Sequence, residues 1–559
     1  MPVNRDTRRA AQSLVVLALV FPLVTILFTS GTPAQAAAVT ATRVTHQHFN
    51  SFEATASAEH LAESRFKNPS SPICTTATTS AANVNTDCEV ISPHNETSIA
   101  INPTNPLNLV GSANDYQISY TDGGTSFFTF YSRAHTTFDG GKTWTTYPID
   151  FHGYTHSGDP AVAFDASGKV YLATLGWIAS ENIGCCVAPD ILVSHSSDGG
   201  KTWVTPSRVA TGTGNSFSAG VFNDKEFIAA WGDGNAIVTW TVFYQGQFGR
   251  YVSSPIYASV THDGGSTWTA GVEISGSASF CTGARGGNAC DQNHASVPVV
   301  AADGSIYVTF VNFAYPTTTG RDQYLVVKVD AATGQRIGGP YRVADIIDGY
   351  TDYPISVDGR PTYQDSEFRT WPVGNIAADP TSSAHLAVIW SDMRNSRLPA
   401  ERDPYRATTN SDVIVSQSLD GGLSWSSPTA LSAPRDQFMP WGAYDATGRL
   451  RIGFFDRQYD PANHKYGYTL ASETNARSLA FTMSQVTTAL SDPTANNRWF
   501  SITTVNPAFP HPTTFLGDYS AIATSSSASI AAYWTDLRET ISAGSRTGFA
   551  QDAYFGSAR

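Results

Sequence analysis

The chain has 559 residues, 12% aromatic and only 14% charged, with 45 Gly, 30 Pro and a formal net charge of −13. That balance suits many short strands joined by turns and excludes a helical bundle, since no long stretch keeps a helical apolar period. The acidity, with no cluster of Lys and Arg, excludes a nucleic-acid binder, because phosphate contacts need clustered cations.

The N-terminus reads as a signal peptide over residues 1–36. Arg5, Arg8 and Arg9 form its basic region, Leu14 to Phe28 its apolar run, and Ala34–Ala36 its small-residue end. The run is short for a membrane span. Removing it takes away three Arg and one Asp, which moves the net charge from −13 to −15. A secreted, extracellular protein with no membrane span after cleavage is therefore expected, and a monomer.

Residues 37–92 are rich in Ala, Ser and Thr. They read as an irregular lead-in with one strand, over 39–50, able to close a ring. Six Cys in an exported chain permit disulfides, with Cys74–Cys88 and Cys281–Cys290 as the natural short loops. Cys185 and Cys186 are adjacent, and their pairing stays open. No CxxC spacing exists, so no Cys metal site is expected.

From residue 93 to 559 the chain repeats itself. Each unit carries a polar loop, a short apolar strand such as "PAVAFD", a turn, a very apolar strand such as "VYLATLG", a variable loop and a third strand such as "DILVSHS". A Gly-rich turn and a fourth strand follow. Four strands every 55–75 residues, as counted along the sequence, is the pattern of β-propeller blades. Seven units begin near Glu96, Asp159, Asp224, His294, Trp371, Gln437 and Asp518, or six if an end unit is merged. The last has three strands of its own. The fold class is all-β, a single propeller of four-stranded antiparallel blades.

Four units share a box: "TFDGGKTW", "SSDGGKTW", "THDGGSTW" and "SLDGGLSW". Asp–Gly favours a tight turn because glycine takes φ > 0. The carboxylates of Asp139, Asp198, Asp263 and Asp420 can accept backbone N–H groups across it. Trp144, Trp203, Trp268 and Trp425 can fold back between sheets. The pattern predicts a scaffold role. "YTDGGTSF" (Tyr120–Phe127) lacks the Trp, falls out of phase and reads as a turn.

These boxes resemble the Asp-box, or BNR, repeats of the sialidase superfamily over roughly residues 94–559. The resemblance implies boxes in the turns between third and fourth strands, hence a substrate funnel on the opposite face. It leaves the activity open, since such propellers include hydrolases, receptors and assembly factors.

The starts of first strands and the ends of second strands face that funnel. Glu96, Asp159, Asp518 and Tyr519 are the candidate catalytic residues, with Asp115 a second choice for the acid/base. Tyr519 and Glu96 would be the tyrosine nucleophile and partner that the resemblance implies. Asp224, His294, Asp115, Arg394, Arg457 and Arg538 are candidates for substrate binding; Asn114, Asn312, Asp392, Asp436, Asp456 and Asp536 share the face. Sialidases hold a carboxylate with three arginines. Here three units end a strand with "WSDMR", "FFDRQ" and "WTDLR", and each Arg could equally pair with its nearby Asp. No Arg-Ile-Pro motif occurs. His152, His156 and Asp159 match no metal spacing and read as loop residues. "NET" at Asn95–Thr97 fits the glycosylation triplet, a pattern common by chance.

The sequence thus points to a candidate glycoside hydrolase, exo-α-sialidase-like, acting on a glycan or glycoconjugate without cofactor or metal. The alternative is a non-catalytic propeller that binds extracellular glycan or protein.

Overall fold

A computed structural model describes residues 74–558 apart from internal segments, the longest being 179–187, 314–321, 348–354, 397–408 and 494–503. The signal segment, the expected strand at 39–50, Cys88, Cys185 and Cys186 lie outside the described residues. No helix among the described residues is long and apolar enough to cross a membrane.

Seven antiparallel sheets follow one another in chain order. Blade one is His94–Ile101, Leu109–Thr121, Gly124–Thr137 and Thr143–Tyr147, with Cys74–Ala77 added at its outer edge. Blades two to six begin with His156–Phe164, Gly220–Trp231, Asn293–Val300, Asn375–Ala378 and Gln437–Tyr444. Blade seven has Ala521–Thr524, Ile530–Asp536 and Asp552–Ala558, and takes Asn83–Asn85 as its fourth strand. Val84 pairs with Phe555, which ties the start of the propeller to its end and removes an open edge. The fourth strand of blade seven is thus Asn83–Asn85, from within the stretch read as the lead-in.

The very apolar second strands are buried on both faces, because each blade is packed between two others. Val170–Trp177 and Leu386–Asp392 are buried along their whole length. First strands line the axis, and five of them carry a bulge at the same register. Asn95, Gly158, Asp224, His294 and Phe438 pair normally, and the ladder resumes three residues later. The residue after each, Glu96, Asp159, Lys225, Ala295 and Met439, has φ between 48° and 60°. Such a bulge re-aims a side chain out of the ladder.

All four boxes sit between third and fourth strands. In the second, Asp198 Oδ1 accepts from Lys201 N at 3.0 Å and Thr202 N at 2.9 Å. Ser196 Oγ accepts from Gly200 N, and Trp203 Nε1 donates back to the Gly200 carbonyl. Trp144 is fully buried and stacks 6.2 Å from Tyr533 of blade seven. Hydrogen bonds from the Thr267 hydroxyl and N–H hold the Asp263 carboxylate down at about 2. "YTDGGTSF" spans the hairpin between Leu109–Thr121 and Gly124–Thr137. Cys281 and Cys290 form a disulfide between blades three and four.

Candidate functional site

On the face opposite the boxes, three bulges converge. Lys225 Nζ lies 2.7 Å from Glu96 Oε1, 2.6 Å from Asp159 Oδ2 and 2.9 Å from Asp518 Oδ2. Blades one, two, three and seven therefore meet in one charged cluster. Asn114 locks its geometry: its amide donates to Glu96 Oε2 at 2.9 Å, and its carbonyl accepts from Asp159 N at 2.7 Å. Gly517 lets Asp518 come close, since a Cβ there would sit 2.7 Å from Glu96 N.

The side chains differ in access. Asp159 is 16% exposed, whereas Lys225, Glu96 and Asp518 are at 5%, 0% and 1%. Burial, and then the negative charge of Asp159, push the Glu96 carboxyl well above its ordinary value. Burial acts on Asp159 too, but the Lys225 ammonium and a hydrogen bond from Glu96 outweigh it and hold its carboxylate low. The pair is thus one proton-bearing acid beside one base. Glu226, the next residue after Lys225, is buried with neither carboxyl oxygen hydrogen-bonded.

Beneath the cluster lies an aromatic layer. Phe227 sits 5.3 Å from Trp441 and 5.2 Å from Tyr519. Below it, the axis is largely apolar, with cavities of about 270 and 350 Å³ lined by first strands. Tyr519 belongs to this layer, its hydroxyl 3.5 Å from the Pro160 carbonyl. Burial, then Glu96 and Asp159, push its phenol well above the ordinary value, so it stays protonated.

The other candidates fall into separate groups. Asp224 joins His294 Nε2 at 3.0 Å, accepts Lys225 N at 2.9 Å, and His294 stacks on Trp371 at 4.5 Å. Asp115 is 2.9 Å from Arg133 Nε. The three arginines meet three different carboxylates. Arg394 grips Asp392 with two N–H groups, at 2.8 and 2.6 Å, and Arg538 grips Asp536 at 2.9 and 2.7 Å. Trp390 and Trp534 donate to the same two carboxylates. "WSDMR" and "WTDLR" are therefore one local device, in which the Asp takes its Trp two residues back and its Arg two residues on. "FFDRQ" lacks the Trp and has Arg one place earlier; Arg457 turns to Asp436 at 3.4 Å.

Among the rest, Asn312 donates to Asn293 at 2.7 Å, and Asp456 accepts from Thr469 at 2.7 Å. His152 is exposed, while His156 meets Thr155 Oγ1 and packs on Phe130. Asn95 is buried and accepts from Asn114, so it cannot carry a sugar. Lys225 is absent from the sequence candidates because the bulge puts the inward residue one place after Asp224. The apolar run would have given the right register: Lys225 precedes Phe227 by two, as Asp159 precedes Ala161.

No family model matches the chain, and no curated protein matches it. Many solved structures do. A protein of unknown function from Dyadobacter fermentans is 10% identical, covers 85% of this chain and 97% of its own, with TM-score 0.41. The NanB sialidase from Streptococcus pneumoniae is 9% identical over 80% and 83%, with TM-score 0.41. An α-L-arabinanase from Penicillium chrysogenum is 16% identical over 67% and 94%, with TM-score 0.40. None of these likenesses assigns an activity.

Proposed function

We propose that the chain is a secreted β-propeller that acts on extracellular glycans, with its chemistry at Asp159 and Glu96. The carrying observation is the clamp of Lys225 on this carboxyl pair, with Asp159 alone reaching solvent. Environments that drive two carboxyls apart mark an acid and a base. Glu96 holds the proton; Asp159 is the edge a sugar oxygen or water can approach. The unit can pass a proton to a leaving oxygen or take one from water, the role general acid–base catalysis needs in glycoside hydrolysis.

A direct hydrogen bond between Glu96 and Asp159 keeps the two carboxyls closer than an acid and a separate nucleophile stand in retaining enzymes, roughly 5–5.5 Å. The pair therefore works as one acid/base. A tyrosine nucleophile is not supported, because the Tyr519 phenol is held protonated. A three-arginine carboxylate clamp is not supported either, because Arg394 and Arg538 spend their forks on their own Asp.

One observation favours a non-catalytic glycan-binding propeller instead: Glu96, Lys225 and Asp518 are almost wholly buried and satisfy one another. Purified protein screened on fluorogenic glycosides and on a glycan array separates the two. Turnover that Asp159→Asn abolishes supports the acid/base. Retention on the array without turnover supports binding, and neither result removes the glycan reading.

A further inference from the structure

We propose that Asp87, His94 and Asp552 hold a divalent transition-metal cation, of the Zn2+ class, at the seam where the propeller closes. The three side chains come from distant parts of the chain. Asp87 follows the closing strand Asn83–Asn85, Asp552 opens the strand beside it, and His94 opens the first strand of blade one. All three are buried, and one donor atom from each lies within 4.8 Å of the others. Donors around a tetrahedral Zn2+ stand about 3.4 Å apart when each bond is about 2.1 Å, so the Asp87–His94 pair, 2.5 Å apart, would open by about 1 Å and any donor standing farther off would turn inward.

The second observation is Asp552 itself. Its residue is 4% exposed, and its carboxylate makes no hydrogen bond or ion pair among the described residues. A buried carboxylate held by no hydrogen bond, with the more distant charge of His94 to answer it, is costly and would gain from a cation beside it. The surrounding charge agrees. Asp87, Asp115 and Asp552 are three buried carboxylates gathered round Arg133 and, when protonated, His94; the nearby Asp536 is already taken by Arg538. A divalent cation in place of the imidazole proton brings this buried group to zero.

The outer partners fit as well. Asp87 Oδ2 meets His94 Nδ1 at 2.5 Å, so these two donors already stand side by side. The other ring nitrogen, Nε2, looks towards Asp115 at 3.7 Å, and Arg133 holds Asp115 at 2.9 Å. Metal-bound histidines commonly direct their second nitrogen to such a carboxylate, which fixes the ring. Imidazole with carboxylates suits Zn2+ better than Mg2+ or Ca2+, which prefer all-oxygen shells. Bound there, the ion would join the closing strand, its neighbour and blade one, and would sit two residues from Glu96.

The test uses tag-free full-length protein stripped with chelator and titrated calorimetrically with Zn2+. One equivalent per chain and a higher unfolding temperature are expected, with Mg2+ giving neither. Asp115→Asn should weaken Zn2+ about 10–100-fold, and Asp552→Asn more. X-ray absorption at the zinc edge of the wild type, which needs no variant to fold, should show a nitrogen and oxygen shell containing one imidazole. No retained Zn2+, a sulfur-containing shell, or wild-type affinity in both variants would overturn the site.

Discussion

Lys225 Nζ stands 2.6 Å from Asp159 Oδ2, with Glu96 and Asp518 closing round the same ammonium. One buried cation thus compensates three carboxyls brought together by blades one, two and seven. Breaking a buried pair by removing one partner leaves charge uncompensated and costs about 3–5 kcal/mol. Lys225→Met is predicted to lose that much in urea unfolding. A midpoint equal to wild type would show that the ammonium does not hold the axis together.

Asp159→Asn should behave differently. The residue sits at φ 60°, a conformation Asn tolerates, and its side chain is the most exposed of the four. The fold is therefore expected to survive. Turnover on any glycoside the wild type cleaves should fall by roughly 10²–10⁴-fold, the usual worth of a general acid or base. Glu96→Gln keeps the neutral shape but lacks the proton, so it should fold and lose turnover similarly. Full activity in both variants would place the chemistry elsewhere.

The two Trp–Asp–Arg devices predict a stability effect. Asp392 and Asp536 are fully buried, so Arg394→Met or Arg538→Met leaves a carboxylate without its cation, held by an indole N–H and by weaker backbone and hydroxyl donors. Losses of roughly 1–3 kcal/mol are expected. The KM of the folded remainder should not move. A raised KM with unchanged unfolding would return these arginines to the substrate.

Much of this was legible along the chain, for a physical reason. Blades are local: each buries a second strand on both faces, so the apolar run at Val170–Trp177 announces itself, and a box such as Ser196–Trp203 marks the register. Glu96, Asp159 and Asp518 followed from knowing which strand ends share a face. Lys225 did not, because a bulge shifts the inward residue by one, from Asp224 to its neighbour. The seam was hidden for another reason. Asp87 and Asp552 meet only when the ring closes, and no local pattern reports on contacts between the two ends of a chain.

The box carboxylates should act on stability alone. Asp198 accepts from Lys201 N, Thr202 N, the Thr202 hydroxyl and the Ser196 hydroxyl, far from the axial cluster. Asp198→Ala is predicted to cost roughly 1–2 kcal/mol, like the loss of a capping side chain, with specific activity of the folded protein unchanged. Box carboxylates are held below the ordinary 3.8, Asp263 at about 2. Their contribution is therefore present above that ordinary value and fades as pH falls towards 2. Unchanged melting with lost activity in Asp198→Ala would make the box a site.

Glu226 gives the opposite slope. Burial first, and then the charge of Asp159, push its carboxyl well above the ordinary 4.5. The folded chain therefore binds this proton more tightly than the unfolded one. Stability from this group is complete below 4.5 and declines as pH rises, until the folded value is passed. Glu226→Gln removes the titration and keeps the shape. Urea unfolding of both proteins at about pH 5, 7 and 9, spanning that decline, should show the variant gaining on wild type as pH rises. Parallel profiles would mean that the Glu226 carboxyl finds a partner or water that burial alone does not reveal.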